Sequence, residues 1–442
     1  MIYINLDKLS PWQFLVYGYF AVIALGTFLL ALPASTAVGN STGFIEALFT
    51  STSATAVTGL IVVNTAEHWS TFGKVVIMLL IQIGGFGFMT TTSFFFMLLG
   101  KRFSLRNKII IQEDINYSNL SSVLDMTRYI IYLTLITELI GSVLLYFYFR
   151  NLMSTLKAVF FALFHSISAF NNAGFDLFGN SLEGFYNSTY INIVIGFLFV
   201  FGGLGFIVIS EIYTKSKFTN LTLHAKMVIV LTVFLILAPS FFIFFMEYEN
   251  PATIGQLNLK GKVLGAFFQG ITPRTAGFNT IPIGNFRDVT LFLMIILMFI
   301  GASPGSTGGG VKTTTIGTLL VVAYNLALGK EDMEVFRARL RRKDIYKALT
   351  IVVISLALIA LITILLTVTE EFQFIDILFE VFSAFGTVGL STGITGQLSA
   401  FGRFFIILTM FIGRVGPFTI AMAIGRRKIS NIRYPEEDIL IG

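Results

Sequence analysis

The sequence predicts an all-α polytopic membrane protein, with eight transmembrane helices and four short re-entrant pore helices around one central pore. Three observations lead there. The 442 residues are 55% hydrophobic and 12% charged, with 48 Phe, and the mean hydropathy is +0.82. Soluble chains are roughly 45–50% apolar and ~25% charged. Apolar runs of about 20 residues, enough to cross a bilayer, follow one another along the chain, and a glycine-centred pattern recurs between them.

The runs lie at 11–32, 72–99, 128–149, 190–212, 225–246, 289–328 (interrupted), 345–368 and 401–424. The first is full length and has no basic segment before it, so it is expected to stay as a span rather than be cleaved as a leader. Inside each pair of runs lies a shorter, half-apolar segment with Gly and Thr. The chain therefore divides into span, re-entrant segment, span over 1–100, 101–214, 215–330 and 331–442, the last ending in a tail.

Orientation follows from the basic residues. Lys8, the connectors between pairs (Lys101 to Arg128, Lys215 to Lys226, Lys330 to Lys347) and the tail (Arg426 to Arg433) carry about twenty Lys and Arg. The other side has only Lys74, Arg150, Lys157, Lys260, Lys262, Arg287 and Arg403. The positive-inside bias places both termini in the cytoplasm, with the re-entrant segments entering from outside. The same bias accounts for the net charge of +6 with no need of nucleic acid. With no Cys in the chain, disulfides and thiolate metal sites are excluded.

Each re-entrant segment aligns on one glycine: ATAVTGL (54–60), AFNNAGF (169–175), TPRTAGF (272–278) and FGTVGLS (385–391). The glycines Gly59, Gly174, Gly277 and Gly389 stand 115, 103 and 112 residues apart. Small or short residues precede them (Thr58, Ala173, Ala276, Val388), and Leu60, Phe175, Phe278 and Leu390 follow. Ten residues upstream stands Phe49, Phe164, Phe267 or Phe379, and Ser-Ala recurs at 53–54, 168–169 and 383–384, with Ile271-Thr272 in the third copy. Agreement at this many offsets marks an internal fourfold repeat. In each copy a half-membrane helix would end in extended backbone, which membrane depth tolerates only inside protein or along an aqueous path. Four such stretches around one axis would offer rings of carbonyl oxygens, the device that replaces a potassium ion's hydration shell. Glycine leaves the hole open and permits the backbone angles required. The helix C-terminal ends also favour a cation at the centre. The expected ion-binding residues are Thr58, Gly59, Ala173, Gly174, Ala276, Gly277, Val388 and Gly389, with K⁺ at the four glycines. The bland alternative is that these glycines serve close helix packing.

The sixth run is broken by GASPGSTGGGVKTTT (301–315). Gly305, Gly308, Gly309 and Gly310 make regular helix costly, and Pro304 removes a donor. Hydroxyls of Ser303, Ser306, Thr307 and Thr313 to Thr315 could satisfy freed backbone groups. Equivalent depth in the other second spans carries Gly84-Gly85, Gly202-Gly203 and Gly413, but only the third copy is expected to insert a polar stretch. Such a loop fits the water-filled cavity under the ring, where it could plug the pore and move aside. The expected gate is Gly305, Ser306, Thr307, Gly308, Gly309, Gly310 and Lys312 with Arg414, an arginine deep enough to need a partner. Arg414 is expected to bond loop carbonyls and to raise a barrier to cations, or else to snorkel outward, and Lys312 has the same two options. Glu138 and Gln82 read as interhelical polar contacts. Asn171, Asn172 and Asn279 either line the outer mouth or cap turns.

At the four motifs and the 301–315 loop, the chain resembles the Ktr/Trk/HKT superfamily of potassium transporters, and within it the membrane subunits of bacterial Ktr uptake systems. The resemblance runs from Pro33 to RYPEEDILIG (433–442). It implies four M1–P–M2 repeats, filter glycines at 59, 174, 277 and 389, and an intramembrane gating loop in the third repeat. Sodium-preferring plant relatives carry serine at the first filter position, so Gly59 implies potassium as the transported ion. Sodium is left open as an activator. The resemblance also implies a homodimer in the lipid bilayer of the plasma (inner) membrane, seated on a cytosolic ring of nucleotide-binding subunits of the KtrA/KtrC, RCK type. No nucleotide is expected in this chain. Candidate docking surfaces are RARLRRKDIYK (337–347) and the tail after Arg426, though both also serve as topology-setting charge beside anionic lipid.

Other readings fit less well. GSTGGGVKT (305–313) is not a phosphate loop, since Val311 separates Gly310 from Lys312 and the preceding run reads as a membrane helix. His68, His165 and His224 share no metal-ligand spacing, and His165 reads as a packing or capping residue. No nucleophile–base pair points to an enzyme. An alternating-access Na⁺/K⁺-coupled secondary transporter would be expected to have two inverted halves with paired interruptions. A membrane scaffold without transport is the third class.

Overall fold

The computed structural model describes residues 10–98, 123–425 and scattered positions within 108–112 and 435–440. Lys8, Lys101, Arg102, Arg106 and most of the tail after Gly425, which enter the orientation and docking expectations, lie outside the described residues. The chain is mostly helical, and the strands named among the described residues are a hairpin of Glu334–Val335 with Ala338–Arg339.

Among the described residues, the helices of eight or more residues are α1 (Pro11–Ala31), α2 (Phe44–Thr55), α3 (Thr71–Phe86), α4 (Phe88–Leu98), α5 (Val123–Phe149), α6 (Thr155–Phe170), α7 (Thr189–Gly203) and α8 (Phe206–Thr214). They continue with α9 (Leu223–Glu247), α10 (Leu259–Ile271), α11 (Asp288–Phe299), α12 (Thr313–Ala327), α13 (Arg342–Thr369), α14 (Phe374–Gly386), α15 (Ala400–Val415) and α16 (Pro417–Ile424). The order is repetitive: a long helix, a short one, then a helix in two pieces. The long helices α1, α5, α9 and α13 have 21, 27, 25 and 28 residues and are long and apolar enough to cross a membrane. Their starts and stops follow local chemistry. A Ser10–Gln13 capping box and Pro11 open α1, and the Thr222 hydroxyl accepts from Ala225 N to open α9.

The second spans differ from expectation. All four are interrupted, not only the third. Gly87, Gly205 and Gly416 take φ of +81°, +95° and +92°, a region in which a helix cannot continue. At the last two breaks the pieces turn by 96° and 91°. The glycines that end α3, α7 and α15 thus act as helix stops and not merely as small contact residues.

Packing explains how the pieces are held. Each long helix lies against the short helix after it (α1 on α2, α5 on α6, α9 on α10, α13 on α14). Each inner piece also packs on the short helix of the next quarter: α3 on α6, α7 on α10, α11 on α14, and α15 back on α2. The last contact closes the chain into a ring in sequence order. Phe49, Phe164 and Phe379 are fully buried on the short helices, while the third copy buries Phe268 in place of the expected Phe267. Exposed Phe, Leu and Ile line the outer faces of the long helices, for example Phe20, Leu139, Phe234 and Leu361. An apolar solvent-facing surface of this kind suits a lipid environment.

Candidate functional site

The short helices all end the same way. Two residues before each glycine the chain takes a left-handed step, at Val57 (φ +57°), Asn172 (+59°), Thr275 (+68°) and Thr387 (+51°). The glycines themselves have φ of +94°, +68°, +74° and +88°. Such angles are costly for side-chain-bearing residues and persist only where surroundings enforce them. Here they are enforced by hydrogen bonds back to the helix end. Thr58 N, Ala173 N and Val388 N donate to the carbonyls of Ser53, Ser168 and Ser383, each five residues back. Gly59 N and Gly389 N donate to the hydroxyls of Ser53 and Ser383 at 3.0 and 3.1 Å.

The third copy is one residue shorter in this turn. Ala276 N bonds Thr272 O, four residues back, and the hydroxyl moves with it. Thr272 Oγ1 donates to Phe278 O at 2.5 Å, as Ser168 Oγ does to Phe175 O at 2.7 Å. The break in the Ser-Ala pattern and the swap of Phe267 for Phe268 therefore share one cause.

The structure brings Gly59, Gly174, Gly277 and Gly389 together. A Cβ on Gly59 would lie 2.4 Å from Ala173 O, one on Gly174 2.8 Å from the Gly277 Cα, one on Gly277 2.4 Å from Val388 O, and one on Gly389 2.1 Å from Thr58 O. The ring order is the chain order, and it closes. Thr58, Ala173, Ala276 and Val388 are fully buried beside the glycines. What converges is main chain from four segments.

Beneath the ring lies the stretch between α11 and α12, residues 300–312. It is shorter than the expected 301–315, because Thr313 to Thr315 form the first turn of α12. Its ends pair with each other, Gly301 N donating to Val311 O at 2.8 Å, and its middle is bonded to other segments. Ser303 N and Thr307 N donate to Gly203 O and Gly202 O, Phe206 N donates to Gly305 O, and Gly310 N to Gly413 O. Gly309 N donates to Thr387 Oγ1 at 3.0 Å, Thr307 Oγ1 to Phe170 O at 3.2 Å, and Lys312 Nζ to Gly308 O at 2.6 Å. Arg414 donates through Nη1 to Thr307 O and through Nη2 to Gly84 O, so the guanidinium joins the loop to the end of α3. A cavity of about 240 Å³ abuts the loop, with Gly305, Ser306, Gly308, Lys312 and Arg414 in its wall.

The remaining polar residues resolve into supports. Asn171 Nδ2 donates to Glu138 at 2.7 Å and lies 3.4 Å from Gln82 Oε1, the expected interhelical contact. Asn279 bonds Ser181 and Glu183. His165 bonds Phe161 O and receives Leu177 N, holding the chain that leaves the second ring segment. Sequence reasoning missed Thr275 and Thr387, the side chains facing the loop, and read Asn172, which pairs with Thr275, as an outer-mouth or turn-capping residue. Their shared signal is the position two before each glycine, where the first copy alone is apolar.

Such a fold, with apolar spans around a cluster of glycine main chain and a bonded internal loop, defines a polytopic membrane protein built around a central constriction. Comparison with known proteins gives its family. Residues 12–430 match the family model TrkH, described as "Cation transport protein". The chain is 40% identical to "Ktr system potassium uptake protein B" of Bacillus subtilis, covering 98% of this chain and 97% of that one. It is 39% identical to "Potassium/sodium uptake protein NtpJ" of Enterococcus hirae over 98% of each. The crystal structure of the potassium transporter TrkH from Vibrio parahaemolyticus shares the fold, with a TM-score of 0.75 at 17% identity over 95% of this chain and 86% of that one. The chain belongs to the TrkH/Ktr family of cation transport proteins.

Proposed function

We propose that this chain is a potassium uptake pore, the membrane subunit of a Ktr-type system, made of four M1–P–M2 repeats with one carbonyl-lined selectivity filter and one loop gate. The observation that carries the reading is the closed ring of Gly59, Gly174, Gly277 and Gly389, in which no side chain fits. Backbone oxygens from Thr58, Ala173, Ala276 and Val388 and from the glycines would replace the hydration shell of K⁺. The residues Gly305 to Gly310 with Lys312 and Arg414 then form the gate, and the two cationic side chains raise the barrier to ions while the loop is in place. The names of the relatives support potassium as cargo, and the second of them keeps sodium open as an activator or companion ion. The Ktr-system names also support a partner subunit. We take this partner to be a cytosolic nucleotide-binding ring under a homodimer, facing the connector 337–347 at the plasma membrane's cytoplasmic side, with both termini inside.

The decisive experiment is rubidium uptake by vesicles reconstituted with the chain, with and without sodium. Uptake that saturates and is competed by K⁺ supports the pore. No uptake by folded protein rejects it. One observation favours keeping the coupled transporter as a second reading: every inner helix is interrupted, so the number of breaks does not separate the two. A fixed sodium-to-rubidium flux ratio would select the transporter, and a ratio that varies with the gradients would select the pore.

A further inference from the structure

The residues two before each filter glycine are not among those assigned to the carbonyl filter, and two of them, Thr275 and Thr387, meet the loop. Thr275, Thr387 and Asn172 are fully buried. Thr387 Oγ1 accepts from Gly309 N at 3.0 Å. A Cβ on Gly309 would be 2.5 Å from that same oxygen, and one on Gly308 2.3 Å from Thr275 Oγ1. Two adjacent loop glycines are thus pressed against the two threonine hydroxyls. With the Asn172 nitrogen donating to Phe199 O at 2.9 Å and Ala169 O at 3.2 Å, its oxygen accepts from Thr275 Oγ1 at 2.9 Å. The inner rim of the ring therefore presents side-chain oxygens from three quarters and an apolar Val57 from the fourth.

We propose that this rim is a side-chain binding site for a dehydrated monovalent cation, and that the loop and the cation compete for it. The inference rests on the pore reading above. In the closed arrangement the loop supplies an N–H to Thr387 and fills the space beside Thr275. A cation arriving below the glycine ring needs the same oxygens and the same space. Ion occupancy and loop closure therefore oppose each other, and by linkage each weakens the other by the same factor. Potassium itself becomes an opening ligand, and the filter reports its occupancy to the gate through Thr387.

The chain has no Cys, so Ser306→Cys gives a single thiol on the loop, facing the cavity. Its alkylation rate in reconstituted protein reads loop release. Raising K⁺ in place of a large organic cation is expected to increase the rate about fivefold, the equivalent of about 1 kcal/mol, the net worth of one hydrogen bond. Adding Thr387→Val, which keeps the β-branched shape, should raise the rate without K⁺ by a similar factor and abolish the K⁺ response. Thr387→Ser should restore both. Thr275→Val should cut the K⁺ response while leaving the Gly309 bond in place, and it provides the test if Thr387→Val fails to fold. A K⁺ response that persists in both valine variants overturns the proposal, as does a rate that ignores K⁺ in the parent while rubidium uptake is normal. Absence of rubidium uptake in the parent would instead sink the pore reading.

Discussion

Gly308→Ala tests the gate with the smallest possible perturbation. The added methyl would sit 2.3 Å from Thr275 Oγ1 and 2.7 Å from the Ala302 Cβ, so the loop or its walls must move by about 1 Å to restore ordinary contact. Overfilling a packed site in this way costs ~1–3 kcal/mol. The cost falls on the closed arrangement, because a displaced loop leaves Thr275. The open fraction should rise by roughly 5-fold to 150-fold. Rubidium uptake by reconstituted vesicles without any partner subunit reads this directly, with Gly184→Ala as control, since a Cβ there meets nothing within 4 Å. Unchanged or reduced flux in a protein that elutes and melts like the parent would refute the assignment of residues 305–310 as the gate.

Three further outcomes follow from the same geometry. Gly59→Ser puts a side chain 2.4 Å from Ala173 O at φ +94°; the K⁺/Na⁺ permeability ratio should fall, and an unaltered ratio counts against the filter. Deleting 305–310 should raise partner-free flux more than Gly308→Ala does, and loss of flux in folded protein contradicts a plug. Glu183, in the α6–α7 connection, has its pKa raised by desolvation, offset in part by the Asn279 hydrogen bond and reinforced by Asp176. The folded state thus holds this proton more tightly than the unfolded chain does. Its contribution favours folding below the ordinary carboxylate pKa and is lost as pH rises through the raised value. Glu183→Gln should flatten that acid-side slope in thermal unfolding, and an identical slope would rule Glu183 out as its source.

Much of this architecture was legible because it is written in apolar length and in repetition. The four long helices begin and end within a few residues of the hydropathy runs, as with 225–246 against Leu223–Glu247. The glycine alignment found four positions that the fold brings into contact, because only a residue without a side chain fits there. The inner helices were misread for an equally physical reason. Hydropathy over 72–99 or 401–424 is continuous and does not register that Gly87 and Gly416 have left-handed backbone. The one-residue phase shift of the third copy was visible as Ile271-Thr272 but not interpretable, since the length of a turn is set by its hydrogen bonds. The Arg414–loop contact was foreseeable from the cost of burying a charge, whereas the second acceptor, Gly84 O, depends on where α3 stops.

The four interruptions and the loop form one system. A helix that stops leaves carbonyls without intrahelical donors, and at membrane depth each must find a partner. The stops of α3, α7 and α15 leave Gly84, Gly202, Gly203 and Gly413 carbonyls facing the space under the ring, and the loop with Arg414 supplies the donors. The loop in turn could not lie at that depth without them, since its own glycines make no helix. On the gate reading, closure is stabilised by these hydrogen bonds, with Gly84 O also accepting from Gly87 N at 3.1 Å, and opening would hand the loop's share of the carbonyls to water or to the passing ion. That exchange gives the closed arrangement a stability of a few hydrogen bonds, each worth about 1 kcal/mol net. A barrier of that size can be overturned by a ligand, a partner subunit or a single methyl group.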